Sequence, residues 1–516
     1  MAVRGNEVLR RYLGTIGCGV ALVAALAVAG SRAQAASELQ AIEARPGSND
    51  AAVEMGTLGA PDTSGVGLLT PVESGLSKTM WDGTSRETAV SLLEKVPVPT
   101  RSRALQSLGR RVLLTEADAP PAEGASPNFL ALRLKRLIAL GDLESVVRIS
   151  DELIVGKDTS EELEARADAL LLRGADGDAC LMAHQMMPFN ADLYWVKLDA
   201  YCKARAGDEA GGEFDLALIQ ARDNDPVFFA LYDRLTLPQG ENVQPAPFDG
   251  SALALAFLRA AHLMPVSDDL IQDRPALLRA VALDASGASA DARLGAAVDA
   301  ATFGAFPIEA LRAMFTLQGF PQEALDDPAQ AAGPLVPARA LALFYQAIAR
   351  SQSPFDRIKL TSIAYRYAAQ RGVAPVLIDL VGPMLEGITP DATLAPFAAD
   401  MRNACIAAGA KDCAARWAAL APAQGVATVA AVAEPIVAAN APDDGAAGLS
   451  AFETAANEGH VAEAVLRALE AFGGRTPAMA GMSVVAPVAQ GFTALGLTSD
   501  AQALMAEAAL PVASQP

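Results

Sequence analysis

Five cysteines and three histidines are the residues of this chain best suited to metal, thiol or proton chemistry. His184, His262 and His460 lie far apart, and only His184 falls near a cysteine, so the usual ligand spacing of a zinc site is missing. Cys18 stands alone near the N-terminus, and the others form two local pairs, Cys180 with Cys202 and Cys405 with Cys413. Neither pair is a Cys-x-x-Cys at a strand–helix junction, which argues against a redox-active dithiol. Each pair flanks the turn between two helical patterns. If the two runs are antiparallel, both sulfurs lie at one end of a hairpin, and Cα atoms within about 7 Å permit a bridge. Two bracing disulfides, Cys180–Cys202 and Cys405–Cys413, are expected, against the alternative of four buried free thiols.

Other motifs with chemical potential stop short. Gly65-Val66-Gly67 lacks the third glycine of a dinucleotide fingerprint and has no strand before it. Gly156-Lys157-Asp158-Thr159 places an aspartate where a phosphate loop needs Ser or Thr. Ser289, within Gly287-Ala288-Ser289-Ala290-Asp291, is one residue away from a nucleophile elbow but sits among helix formers. Asp176 with Asp178, and Asp223 with Asp225, do not continue into a calcium loop and read as turn and N-cap residues. No catalytic residue, metal ligand or cofactor site is predicted, and the chain is not expected to be an enzyme.

The elements that carry these residues read as helices. Of 516 residues, 52% are hydrophobic but only 5% aromatic, so the apolar mass is mostly Ala, Leu and Val, which suits closely packed helices. Helical stripes are predicted over 87–95, 101–114, 128–140 and 143–154. Asp225-Pro226 starts another, with Asp as N-cap and Pro at the first helical position. A glycine followed five residues later by a small residue recurs at the junctions: Gly141/Val146, Gly174/Ala179, Gly319/Ala324, Gly409/Ala414, Gly459/Ala464 and Gly496/Ala501. Glycine accepts the left-handed conformation that ends the first helix, and the small residue lets the second helix approach it. The step from Gly141 to Gly174 and on to Gly207 repeats with Gly212 in place of the Ala, then fails at Gly240, in a Pro-rich loop.

These turns resemble the tetratricopeptide repeat, whose units of about 34 residues carry Gly-Asp then Ala at this offset. Gly141-Asp142-Leu143-Glu144-Ser145-Val146 and Gly459-His460-Val461-Ala462-Glu463-Ala464 match best, with Ala471 and Ala508 at the next small position. The Trp, Leu-Gly and Tyr positions of the repeat's first helix are absent. The resemblance implies an all-α fold, an irregular α-solenoid of helical hairpins, and with it an extended surface for binding another protein.

The N-terminus reads as an export signal. Arg4, Arg10 and Arg11 precede an uncharged apolar stretch at 16–30, and Ala33-Gln34-Ala35 offers a cleavage site, giving a signal peptide over 1–35. Arg10-Arg11 is an incomplete twin-arginine pattern, and most of the apolar run lies after Cys18, where a lipoprotein signal would have it before. A flexible Gly/Pro/Ser/Thr-rich tether is expected over 36–77. Helical-repeat segments follow at 78–236 and 251–420, then an Ala/Pro/Gly-rich linker at 421–448 and the last two hairpins at 449–510. No later segment is apolar for long enough to span a membrane.

The acidic balance, 60 carboxylates to 40 basic residues and a net charge of −20, disfavours nucleic acid and anionic lipid as partners. The richest basic–aromatic cluster, Tyr365, Arg366, Tyr367 and Arg371, is the candidate partner surface. The expected function is a periplasmic helical-repeat scaffold binding another envelope protein. The alternatives are a peptidoglycan-associated protein or non-catalytic arm of a cell-wall enzyme, and a structural component of a flagellar or secretion machine.

Overall fold

A computed structural model describes residues 63–96, 99–121, 127–153, 159–190, 192–237, 247–263, 271–284, 287–420 and 443–511. The signal over 1–35, the Gly156-Lys157-Asp158 motif and most of the 421–448 linker lie outside them. The described residues form an all-α solenoid of helical hairpins without a β-strand; Leu69 and Thr115 make an isolated bridge.

The local rules read from sequence operate as expected at most junctions. Gly141, Gly174, Gly207, Gly409, Gly459 and Gly496 all adopt left-handed φ. At Gly141 a Cβ would meet that of Ala305 at 2.4 Å, so the turn demands glycine for packing as well as for φ +77°. Asp142 then caps helix Leu143–Glu152 by accepting from Ser145 N. Val146, Ala179, Ala464 and Ala501 are buried at the offset position. Where Gly212 replaces the small side chain, a Cβ would lie 2.1 Å from Tyr232 Oη, so glycine there leaves room for a side chain of the next helix, Pro226–Thr236. Asp225 accepts from Val227 N and Phe228 N at 3.1 Å to start Pro226–Thr236.

Four expectations are corrected. Gly319 does not adopt left-handed φ, and a Pro321-led short helix, Gln322–Asp326, follows it, so Gly319/Ala324 is not a repeat turn. His262, which the sequence places within a helical pattern, instead follows the end of helix Ala252–Ala260 at φ +57°. The tether reading fails over 63–77: Leu68 N and Leu69 N donate to Leu114 O, while Leu76 is 2% exposed beside buried Met80 and Trp81. Apolar side chains at those positions anchor a stretch whose Gly/Pro/Ser content reads as loop. The linker is shorter than drawn, because helix Asp443–Glu458 has begun by residue 443.

Two departures from a linear stack position everything that follows. In a simple solenoid each unit touches only its neighbours. Here helix Ala252–Ala260 returns to pack on Ser160–Leu172, which is why the period breaks after 236. The last hairpins also return to the first helices: Val461–Phe472 packs on Arg86–Lys95 and Arg103–Leu114, and Thr498–Ala508 packs on Arg103–Leu114. Ala462 N donates to Met80 O, and Thr84 Oγ1 donates to the Glu463 carboxylate.

Candidate functional site

The cysteines pair as predicted. Cys180 joins helix Asp176–Met186 to Leu193–Ala206, and Cys405 joins Ala398–Ala407 to Lys411–Ala418, each with Cα atoms 5.6 Å apart. Each bridge clasps one hairpin. Replacing both members of either pair by Ser is expected to lower the unfolding free energy by about 2–4 kcal/mol. Non-reducing peptide mapping checks the pairing, and four free thiols in protein from an oxidising compartment would overturn it.

The predicted aromatic–basic surface does not assemble. Tyr365 is 3% exposed and belongs to the core, because it falls on the inward stripe of helix Pro354–Ala369. Arg366 pairs with Asp400 at 3.1 Å, and Arg371 lies over the Tyr367 ring at 3.6 Å. Both arginines thus have partners in the fold, while Tyr367 Oη is buried without a hydrogen-bond partner among the described residues. The other candidates serve structure: Ser289 caps helix Ala290–Thr302, Asp176 pairs with Arg259, and Asp223 and Asp225 both hold Lys197 Nζ at 2.9 Å. Trp195 is fully buried, and Tyr194 Oη donates to Asp168. That carboxyl is pushed up to about 6 by burial.

The site that the structure does build surrounds helix Arg103–Leu114. Turns from distant hairpins converge on it, and its arginines and their neighbours satisfy the carbonyls that helix ends leave without partners. Arg101 donates to Gly372 O. Arg103 donates to Ala301 O and pairs with Asp379 at 2.9 Å, and Gln106 donates to Thr302 O. Arg110 pairs with Asp142 at 2.7 Å, and Arg111 bridges Ser74 O and Asp500. The same device recurs off this helix, where Arg259 reaches Leu171 O and Arg279 reaches Gly141 O and Glu144.

Two clefts flank the helix and share Arg103 and Ser107 in their walls. The first, of about 400 Å³, lies between Arg103–Leu114, the disulfide-clasped hairpin Ala398–Ala407/Lys411–Ala418, and Thr498–Ala508. Ala104, Ile406, Ala414, Ala503 and Ala506 make its surface apolar, with Arg103, Arg402 and Lys411 as its cations. The second, of about 370 Å³, is lined by Arg110, Arg111, Arg148 and Asp142 among others.

The carboxylates at these walls are largely spoken for. Asp500 is taken by Arg111, and Asp142 by Arg110. Glu507 accepts from Ala104 N at 2.8 Å and from Ser102 Oγ. Burial pushes its carboxyl up to about 7. The clefts therefore present positive charge in an acidic chain.

No family model, curated protein or solved structure matches this chain. The site rests on its own geometry. Sequence reading passed over it although Arg101, Arg103, Arg110 and Arg111 stand out in a chain rich in acids. Their spacing showed a basic helix, while the walls facing it come from turns up to four hundred residues away.

Proposed function

We propose that this chain is an exported, tetratricopeptide-like scaffold that holds another cell-envelope protein in the clefts flanking helix Arg103–Leu114. The observation that carries the reading is the concentration of cations in two clefts at the centre of a protein with net charge −20. Uncompensated charge of the minority sign marks a surface selected for a partner of opposite charge. The disulfide-distance pairs and the N-terminal signal pattern support an oxidising, extracytoplasmic setting. Among the described residues no helix is long and apolar enough to cross a membrane.

A photo-crosslinking residue at Ser107, which lines both clefts, tests the proposal in living cells, with the Arg371 position as control. The expected result is one dominant protein adduct from Ser107 and little from Arg371. Recovery of glycan fragments alone, or equal yields from both positions, would overturn it.

A further inference from the structure

We propose that the two clefts together bind an extended acidic segment of a partner polypeptide, with Arg402 and Arg148 as the residues that receive its carboxylates. The inference rests on the scaffold reading and names the chemistry its site accepts.

The choice of Arg402 follows from how the other arginines are used. Arg101, Arg103, Arg110, Arg111, Arg259 and Arg279 each have a carbonyl or carboxylate of the fold as partner. Arg402 lines the first cleft, and its one hydrogen bond among the described residues is a 3.4 Å contact from Nη2 to the Asn403 amide oxygen. Its Nε is buried without a hydrogen-bond partner, as are those of Arg103, Arg111 and Arg279, whose other guanidinium nitrogens however reach a carboxylate. Among the described residues it has no carboxylate within ion-pair distance. A buried guanidinium donor left open in this way is costly unless an anion completes it. Lys411 beside it is likewise bonded to Ser499 oxygens and to no described carboxylate.

Arg148 repeats the situation in the second cleft. It is exposed, lines the wall with Arg110 and Arg111, and has no hydrogen bond or ion pair among the described residues. The first cleft thus holds Arg402 and Lys411 without a described carboxylate and the second holds Arg148, and Arg103 and Ser107 connect the two walls. A ligand that meets both needs at least two carboxylates along an extended backbone. An acyl carboxylate has one, which favours an acidic peptide over a lipid-derived chain. The Ala-lined first cleft fits small apolar side chains between the charges.

The probe is a dye-labelled Glu-Leu-Ala-Glu-Leu-Ala peptide, read by fluorescence anisotropy against the full mature chain, beside its Gln-for-Glu counterpart and decanoate. The acidic peptide should bind, weaken as salt rises, and lose about tenfold in affinity with Arg402→Gln and again with Arg148→Gln. Arg402→Lys should retain part of the affinity, because the charge survives and the planar fork does not. Equal binding of the Gln peptide would overturn the inference. So would unchanged affinity in both Gln variants, given wild-type helicity and unfolding midpoint.

Decanoate that binds where the peptide does not would place an acyl anion in the first cleft and overturn the peptide assignment. A partner crosslinked through Ser107 and retained by Arg402→Gln would leave the scaffold reading standing and remove this one. Peptide binding through Arg402 with no cellular adduct would do the reverse.

Discussion

Arg133→Met is expected to lower the unfolding free energy by about 3–5 kcal/mol, the range for removing one partner from a buried charged network. Arg133 is 2% exposed, and burial pulls its guanidinium down to about 10, so it remains charged at neutral pH. Its partners are backbone carbonyls: Leu113 O at 2.7 Å, Ser64 O and Val66 O at 2.9 Å, and Thr115 O at 3.3 Å. One side chain thus ties residues 64–66 to the C-terminal end of helix Arg103–Leu114. Met fills similar volume but donates nothing, and four carbonyls, those of Leu113 and Thr115 buried and those of Ser64 and Val66 half-buried, lose this donor.

Urea unfolding measures the loss, and hydrogen exchange locates it. The Leu68 and Leu69 amides, which donate to Leu114 O at 2.8 and 3.0 Å, should exchange faster in the variant. Arg133→Lys should fall between the two, since an ammonium cannot reach all four oxygens at once. A loss below about 1 kcal/mol, the worth of a single ordinary hydrogen bond, would show that the carbonyls find other partners.

Glu507→Gln is expected to flatten the pH dependence of stability between about 4.5 and 7. Glu507 is 5% exposed, beneath the returning C-terminal hairpin, where it accepts from Ala104 N and Ser102 Oγ at the start of the central helix. Burial raises its carboxyl from 4.5 to about 7, with Arg103 and the two hydrogen bonds opposing the rise. Between those values the folded chain holds a proton that the unfolded chain has lost. The stability this group contributes is therefore complete below about 4.5 and is lost as pH rises towards 7.

The difference across that window is ~3 kcal/mol. Gln keeps an acceptor for Ala104 N and cannot ionise, so wild type and variant should diverge by that amount between pH 5 and pH 8. Asp168, raised in the same direction, is common to both proteins and cancels in the comparison. An unchanged slope in Glu507→Gln would mean that this carboxyl titrates normally. Because Glu507 also lines the first cleft, peptide affinity measured at both pH values would report whether the joint and the cleft move together.

What was legible along the chain was local. Gly141-Asp142 ends one helix and starts the next through a left-handed glycine and an aspartate cap, interactions that span four residues. The Cys405/Cys413 pairing was readable for the same reason, since a hairpin turn brings two nearby residues to one end. Asp225-Pro226 likewise carries its own instruction for starting a helix. Tyr365 was misread because an aromatic beside two arginines looks like a surface until the helical phase is set by its neighbours, and that phase turns its ring inward.

Sequence by itself determined the helical content, most of the glycine turns between helices and the two braces, because backbone conformation and short-range capping are decided by residues within a turn or two. Only the tertiary structure decided the site. Nothing in the spacing of Arg103, Asp379, Arg402 and Glu507 foretells that they face one another. Their meeting depends on the last hairpins returning to the first helices, and on which arginines the helix ends consume. A carbonyl left open at one turn selects a side chain from any hairpin that packs there, so the pairing follows packing rather than sequence order. Arg402 is open because the carboxylates of its cleft are engaged elsewhere, Asp500 by Arg111 and Glu507 by Ser102 and Ala104 N.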